Sequence, residues 1–290
     1  MITSKSNAKV RNLIALKRKA SERNIRDVFL VEGIKMFREI PAAQLREVYA
    51  SESFLKSEAG RKAVDAAMAA QDRLKAVISG KKELVIETVS DEIFRNLSDT
   101  QSPQGVMAVV SQQHYRLEDL FGQRTEPLLL ILENLQDPGN LGTIIRTAEG
   151  AGVTGILMSR GTADLYNPKV TRSTMGSIFR VPFLYTDDLS GTIGKVKQAG
   201  VTVCAAHLQG RHTYDGEDYT RGTAFLIGNE SRGLSDGISA LADVRVRIPM
   251  SGKVESLNAA VAAAILMYEA GRQRQAGKGI PEQQETLCGD

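Results

Sequence analysis

Eleven residues late in the sequence, Ile248-Pro249-Met250-Ser251-Gly252-Lys253-Val254-Glu255-Ser256-Leu257-Asn258, concentrate the features of a loop that handles a ligand. The β-rich run at 244–248 stops at Pro249, Gly252 frees the backbone to turn, and Ser256 and Asn258 stand where a helix cap and first turn belong. Such a unit offers unpaired backbone N–H groups and short hydroxyl and amide side chains to whatever lies over it. Two other apolar runs end in the same way: residues 127–132 lead into 134–146, and residues 224–227 lead into Gly228-Asn229-Glu230-Ser231-Arg232-Gly233. In an open parallel sheet ligands bind beyond the carboxyl ends of the strands, so three such loops can converge on one site. Taken singly, each has an ordinary reading as well: a Ser-capped strand-to-helix connection, a Pro138-Gly139-Asn140 turn, turn glycines at 228 and 233, and a helix-surface Arg146.

Other chemistries are poorly supported. Gly139 and Gly142 give a Gly-x-x-Gly look without the G-x-G-x-x-G fingerprint or the P-loop lysine, which disfavours dinucleotide hydride transfer and NTP hydrolysis. His114, His207 and His212 lack the spacing and cysteine company of a metal site, so no structural metal is expected. Cys204 sits in an apolar run as a small core residue and Cys288 in a polar stretch, and two cysteines make no disulfide framework.

The elements that must position these loops follow from periodicity. Strands are expected at 127–132, 155–159, 182–185, 201–206, 224–227 and 244–248, with helices at 143–150, 168–179, 189–199 and 254–272. The continuous apolar run at 127–132 has the length of a central parallel strand. In the last helix Leu257, Ala260, Val261, Ala264, Ile265 and Tyr268 fall at helical spacing and define the face expected to be buried. Upstream, a basic helix is expected at 5–20 and strands at 28–31, 47–50, 74–78, 84–89 and 105–110. Helices are expected from Gly33 to Ile40, at 60–70 and at 91–97. That alternation reads as a small α/β sandwich, and without a clustered nucleophile, base or ligand set it reads as a binding module. The polar stretch 111–125 reads as a linker and residues beyond Arg272 as a flexible tail, giving divisions at 1–110, 111–125, 126–272 and 273–290.

A length of 290 residues suits two such domains. Apolar runs such as 259–267 are too short to span a membrane, and the N-terminus leads into a charged helix rather than a signal sequence, so a cytoplasmic protein is expected. The net charge of +3 is unevenly spread. Residues 1–110 hold 19 basic and 14 acidic groups, and residues 1–26 hold eight basic groups against Glu22 alone. A field so concentrated suits a polyanion, a solvated helix face being the plain alternative.

Order and spacing then add what single residues do not. Asn140 with Arg146, Gly228-Asn229-Glu230 with Gly233, and Ile248-Pro249-Met250 with Ser256-Leu257-Asn258 resemble the three signature motifs of the SpoU (TrmH-like) RNA 2′-O-ribose methyltransferases of the SPOUT class, over roughly residues 126–270. Arg172-Ser173-Thr174-Met175-Gly176 resembles the segment between the first two motifs, and Phe29-Leu30-Val31-Glu32-Gly33 with Pro103-Gln104-Gly105-Val106 resembles the L30e-like RNA-binding domain carried in front by many members. The resemblance implies a parallel sheet with a C-terminal trefoil knot, a topology that sequence physics alone would not propose. It implies transfer of a methyl group from S-adenosylmethionine to a ribose 2′-hydroxyl, with ribosomal RNA of the 23S type favoured over transfer RNA, and a homodimer. Backbone at Gly228, Ile248 and Leu257 would line the cofactor pocket, glycine at 228 allowing close approach to the ligand. Arg146 would be the catalytic centre. A guanidinium keeps its proton at neutral pH, so Arg146 is expected to bind the neighbouring phosphate and the attacking oxygen rather than act as a base. Asn140, Ser256 and Asn258 would orient it and the ribose, and Glu230 would anchor the loops. The rivals are a non-catalytic RNA-binding protein of the same fold and a base methyltransferase of another SPOUT branch, the latter disfavoured by the Asn140/Arg146 and Ser256/Asn258 pairs.

Overall fold

The computed structural model describes residues 1–77, 84–123 and 126–276. In chain order the first elements are α1 (Ala8–Arg18), α2 (Ala20–Arg26), β1 (Val28–Glu32), α3 (Ile34–Arg38), β2 (Leu45–Ser51), α4 (Glu52–Lys56), α5 (Glu58–Val77), β3 (Val85–Val89), α6 (Asp91–Leu97) and β4 (Val106–Ser111). They are followed by α7 (Leu117–Leu120), β5 (Leu128–Leu132), α8 (Pro138–Gly150), β6 (Gly155–Ser159), α9 (Pro168–Ser173), β7 (Phe183–Thr186), α10 (Leu189–Gln198) and β8 (Thr202–Ala206). The chain continues through β9 (His212–Thr213), β10 (Thr223–Ile227), α11 (Asp236–Ser239), β11 (Val244–Arg247) and α12 (Ala259–Ala276).

Packing divides the chain into two compact units that interleave in sequence. One comprises 1–114, 137–146 and 163–180, and the other 115–136, 147–162 and 181–290.

In the first unit a four-stranded sheet has the order β1-β4-β2-β3, with β4 antiparallel to both neighbours and β2 parallel to β3. All six residues of β4 are buried, which is why that strand reads as an unbroken apolar run and takes a central place. Helix α1 is capped by Asn7, whose side chain accepts from the Lys9 N–H at 2.8 Å, and it buries Val10, Leu13 and Leu16 against Tyr49, Ile93 and Phe94. The helix expected at 5–20 is α1 and stops at Arg18, because Lys19 is extended (φ −118°, ψ 117°) and turns the chain into a second helix, α2, that was not expected. Arg23, only 3 % exposed, closes that corner: its Nη1 donates to the Leu16 carbonyl at 2.7 Å and its Nη2 pairs with Asp164. The strand expected at 74–78 is instead the end of α5, which runs to Val77, Ile78 lying outside the described residues. Ala- and Lys-rich flanks carry that helix through a short apolar run too brief for periodicity to decide.

Residues 163–180 pack on this unit through aromatic and charged contacts. Tyr166 lies on Phe29 with ring centroids 4.6 Å apart, its hydroxyl accepts from the Gln113 N–H at 2.7 Å, and Arg180 pairs with Glu39. The helix expected at 168–179 stops at Ser173, since Met175 (φ 51°) and Gly176 (φ 96°) are left-handed, and a single 3-10 turn follows at Ser177–Phe179.

The second unit holds a seven-stranded sheet among the described residues, ordered β7-β6-β5-β10-β8-β11-β9, with every pairing parallel. Strand β5 is at most 1 % exposed along its whole length, each leucine or isoleucine contributing about 1.5–3 kcal/mol by its removal from water. Cys204 is a buried residue of β8, and burial pushes its thiol up to about 12, assisted by Glu217 and Asp243. Part of the expected linker is ordered, as Ser111 ends β4 and Leu117–Leu120 forms α7.

Helix α12 departs from expectation at both ends and on its face. It begins at Ala259, not 254, and runs through the expected start of the tail to Ala276, held there by Gln273 donating to the Glu217 carbonyl at 2.9 Å and Arg274 to the Tyr219 carbonyl at 2.8 Å. Residues 277–290 of that tail lie outside the described residues. The buried residues are Ala260, Ala263, Leu266, Met267 and Ala270, whereas Val261 and Tyr268 are 48 % and 56 % exposed. The segment is apolar nearly all round, so spacing identified a helix but not which side faces the sheet.

Candidate functional site

The strands β8, β10 and β11 lie side by side and end at Ala206, Ile227 and Arg247, so the residues beyond them emerge at one edge of the sheet. Beyond that edge is a cavity of about 260 Å³. Gly228, Glu230 and Arg232 of one loop, and Ile248, Ser256 and Leu257 of another, line it. The loops expected after β10 and β11 therefore converge, as does the turn after β8, which brings His207 and Leu208 to the same cavity.

The 228–233 loop is held by its own backbone. Asn229 and Gly233 exchange N–H···O bonds of 3.0 and 2.9 Å, the Asn229 carboxamide oxygen accepts from the N–H groups of Ser231 and Arg232, and Gly233 is left-handed (φ 68°). A Cβ at Gly228 would lie 2.2 Å from the Gly233 carbonyl carbon and the Leu234 nitrogen. The fold of the loop on itself is by itself enough to require glycine here, a reason that spacing did not supply.

The loop after β5 joins the second loop rather than lining the cavity. Asn229 donates to the Asn134 carbonyl at 2.7 Å, and the Gln136 N–H donates to the Glu230 carboxylate at 3.1 Å. Glu230 thereby ties the loop after β10 to the loop after β5. Glu133, 7 % exposed, accepts from both the N–H and the hydroxyl of Ser235, at 2.8 and 2.6 Å, fixing the chain just past the glycines.

The remaining candidates stand elsewhere. Asn258 is the cap of α12, its side-chain oxygen accepting from the Ala260 and Val261 N–H groups at 2.9 and 3.3 Å. Asn258→Ala is expected to cost about 1 kcal/mol of stability in chemical denaturation, while Asn258→Asp keeps the cap and the stability. Asn140 is in the first turn of α8, not in a loop turn, its N–H donating to Asp137 at 2.7 Å, and Arg146 is an exposed residue further along that helix. Both belong by packing to the first unit. Gly142 has no phosphate role to explain it: a Cβ there would lie 1.8 Å from the Ser173 hydroxyl and 3.1 Å from the Val170 carbonyl, so glycine lets α8 and α9 touch.

Sequence reasoning missed His207, Leu208 and Met250 as lining residues. Their signal was present, since each follows a strand whose carboxyl end feeds the site; His207 and Leu208 carry no motif, and Met250 lies in the third motif without a role having been assigned to it. The lining suits a nucleoside-sized group: Ile227, Val246, Ile248, Leu257 and Leu266 give an apolar wall, and the two loops give backbone polar groups and the carboxylate of Glu230.

A family model described as the SpoU rRNA Methylase family matches residues 127–268, and one described as the MRM3-like substrate binding domain matches residues 7–108. The 23S rRNA (guanosine(2553)-2′-O)-methyltransferase RlmP of Bacillus subtilis (strain 168) is 36 % identical over 180 residues, 62 % of this chain and 70 % of that protein. The crystal structure of the SpoU methyltransferase AviRb from Streptomyces viridochromogenes in complex with AdoMet matches with a TM-score of 0.80 at 28 % identity, covering 94 % of this chain and 100 % of that one. An AdoMet-bound rRNA methyltransferase from Sinorhizobium meliloti matches with a TM-score of 0.78 at 30 % identity, covering 93 % and 97 %. With two loops meeting at one pocket and a relative this similar over most of its length, the chain belongs to the SpoU rRNA methylase family and is an RNA methyltransferase that uses S-adenosylmethionine.

Proposed function

We propose that this chain methylates a ribose 2′-hydroxyl in ribosomal RNA of the 23S type, as the name of its relative RlmP describes for that protein. The observation that carries the reading is the cavity formed where residues 228–233 and 248–257 converge beyond the parallel strands. Gly228, Ile248 and Leu257 would hold the cofactor, their backbone groups meeting its polar edges while the apolar wall takes the adenine. S-adenosylmethionine supplies a methyl group activated by its sulfonium sulfur, in line for attack by an oxygen.

The chain's own part is positioning, which in well-aligned pairs contributes up to about 7–11 kcal/mol. Arg146, taken from the first motif, binds the phosphate beside the target and the 2′-oxygen as charge develops on it. Asn140, Ser256 and Asn258 orient the arginine and the ribose, and Glu230 keeps the loop after β10 anchored. Residues 1–110 serve as the substrate-binding domain, 111–125 as the connection and 126–272 as the methyltransferase domain, with the C-terminal part threaded as a trefoil knot. The molecule works in the cytoplasm as a homodimer. Val261 and Tyr268, exposed on α12, are the apolar surface offered for that pairing. No helix among the described residues is long and apolar enough to cross a membrane.

Incubation of the purified protein with labelled S-adenosylmethionine and unmodified 23S, 16S and transfer RNA transcripts tests the reading. Nucleoside mass spectrometry should find a 2′-O-methylated nucleoside in 23S RNA alone. Transfer to transfer RNA would reassign the substrate, and cofactor binding without transfer to any RNA would favour a non-catalytic RNA-binding protein.

A further inference from the structure

Two cavities share the turn 229–233 as a wall. One is the cavity of about 260 Å³ beyond β8, β10 and β11. The other is a hollow of about 520 Å³ between the loops after β5 and β10, and Asn229, Ser231, Arg232 and Gly233 line both. Strands β5 and β10 are neighbours and parallel, so the hollow opens where their carboxyl ends emerge, the place at which a parallel sheet receives ligands. A group seated there lies next to whatever fills the first cavity.

One set of polar groups in the hollow is already used. Glu133 holds Ser235 by its N–H and hydroxyl, and Asn134, left-handed at φ 52°, accepts from the Ser159 hydroxyl at 3.0 Å. The Asn229 carboxamide donates to the Asn134 carbonyl and accepts from two backbone N–H groups. A second set is not used. The side chains of Gln136, Ser231 and Arg232 line the hollow, are exposed, and form no hydrogen bond or ion pair among the described residues. Their backbones are nevertheless fixed, since the Gln136 N–H donates to Glu230 and those of Ser231 and Arg232 to Asn229. A carboxamide, a hydroxyl and a guanidinium therefore stand on rigid roots round one opening with their hydrogen-bonding capacity unspent.

We infer that this hollow receives the base of the target nucleotide, a guanine, with the Arg232 fork donating to its O6 and N7 and the Gln136 carboxamide and Ser231 hydroxyl completing the contact. The inference rests on the reading of an RNA ribose as substrate and names the residues that choose which ribose is presented. Bases of unpaired RNA are read along their exposed edges, and a base held beside the cofactor brings its own ribose to the methyl group. Charge favours a base over a phosphate. The Glu133 carboxylate lines the hollow and that of Glu230 accepts from Gln136 beside it, so Arg232 is one cation against two anions, a setting that suits a neutral edge and repels a further negative charge. Among bases, guanine alone offers a guanidinium two adjacent acceptors, whereas adenine turns an amino group toward it. Because Arg232 also lines the first cavity, a carboxylate of the cofactor is the rival partner for its guanidinium.

The test begins by mapping the nucleotide that the full-length wild-type protein methylates in a 23S RNA transcript, then replaces that nucleotide by each of the other three. The variants are Arg232→Ala, Arg232→Lys, Gln136→Ala and, as an exposed arginine outside the hollow, Arg221→Ala. Neither Arg232 nor Gln136 lends its side chain to a hydrogen bond of the fold, so all should melt like the wild type. The mapped nucleotide is expected to be a guanosine, and the wild type should prefer it over adenosine at least about tenfold in kcat/KM, the scale of one paired donor set on a base edge. Arg232→Ala should lose most of that preference, Arg232→Lys should restore little of it for want of a fork, and Gln136→Ala should lose a smaller part. Calorimetry should find S-adenosylmethionine affinity within about twofold of the wild type in each, the range a residue outside the cofactor's own contacts leaves untouched. A methylated nucleotide other than guanosine, an Arg232→Ala variant that keeps the preference, or an Arg221→Ala variant that loses as much overturns the assignment. Loss of cofactor affinity in Arg232→Ala with the base preference intact gives the guanidinium to the cofactor and overturns it as well. Wild-type protein that binds S-adenosylmethionine yet methylates no RNA defeats the functional reading, and this inference with it.

Discussion

Replacing Arg146 by alanine is expected to lower the turnover of methyl transfer at least about 100-fold while leaving the affinity for S-adenosylmethionine within about twofold of the wild type. The scale is that of removing one donor aimed at an oxygen on which negative charge builds in the transition state. Arg146 is exposed on α8 and is not among the residues that line the cavity proposed for the cofactor, so its loss should leave cofactor binding intact. A guanidinium keeps its proton near neutral pH and so cannot serve as the base. Arg146→Lys should recover little, since an ammonium keeps the charge but lacks the paired donors that reach a phosphate and the 2′-oxygen together. Single-turnover kinetics with saturating cofactor would measure this, and an alanine variant with normal turnover would remove Arg146 from the mechanism.

How far the sequence could be read depended on whether one physical cause acted at each place. β5 and β6 were legible because strands covered on both faces need unbroken apolar runs, and nothing else of that length does. The meeting of the second and third loops was legible because parallel strands deliver their carboxyl ends to one edge. The packing of residues 163–180 with residues 1–114 was not, since it depends on Tyr166 finding Phe29 and Arg23 finding Asp164 across more than a hundred residues. Nor was the buried side of α12: with alanine and larger apolar residues on every side, only the sheet it meets chooses between Leu266 and Tyr268. The role of Gly228 was half legible. Glycine was required, but the reason lay in Gly233 and Leu234, whose distance from it no spacing rule contains.

That reason makes Gly228→Ala the second large-effect substitution. The added methyl would meet backbone at 2.2 Å on two atoms and the Gly233 carbonyl oxygen at 2.4 Å, and backbone cannot rotate away as a side chain can. Relief requires the Asn229–Gly233 bridge to open, which gives up two hydrogen bonds and the turn held by the Asn229 carboxamide. Overpacking of this kind costs about 1–3 kcal/mol. Because the same loop forms one side of the cavity and carries the Glu230 anchor to Gln136, much of the strain should fall on the pocket. If about 2 kcal/mol of it does, cofactor affinity drops by some 30-fold, since each 1.4 kcal/mol is a factor of ten. Gly233→Ala provides the contrast: it has open space around its Cβ, and only its left-handed backbone resists substitution, at about 1–2 kcal/mol. Calorimetric titration with S-adenosylmethionine on both variants, beside their melting temperatures, separates the two effects. Gly228→Ala should bind the cofactor more weakly than Gly233→Ala, and wild-type affinity in Gly228→Ala would show that the loop yields without disturbing the pocket.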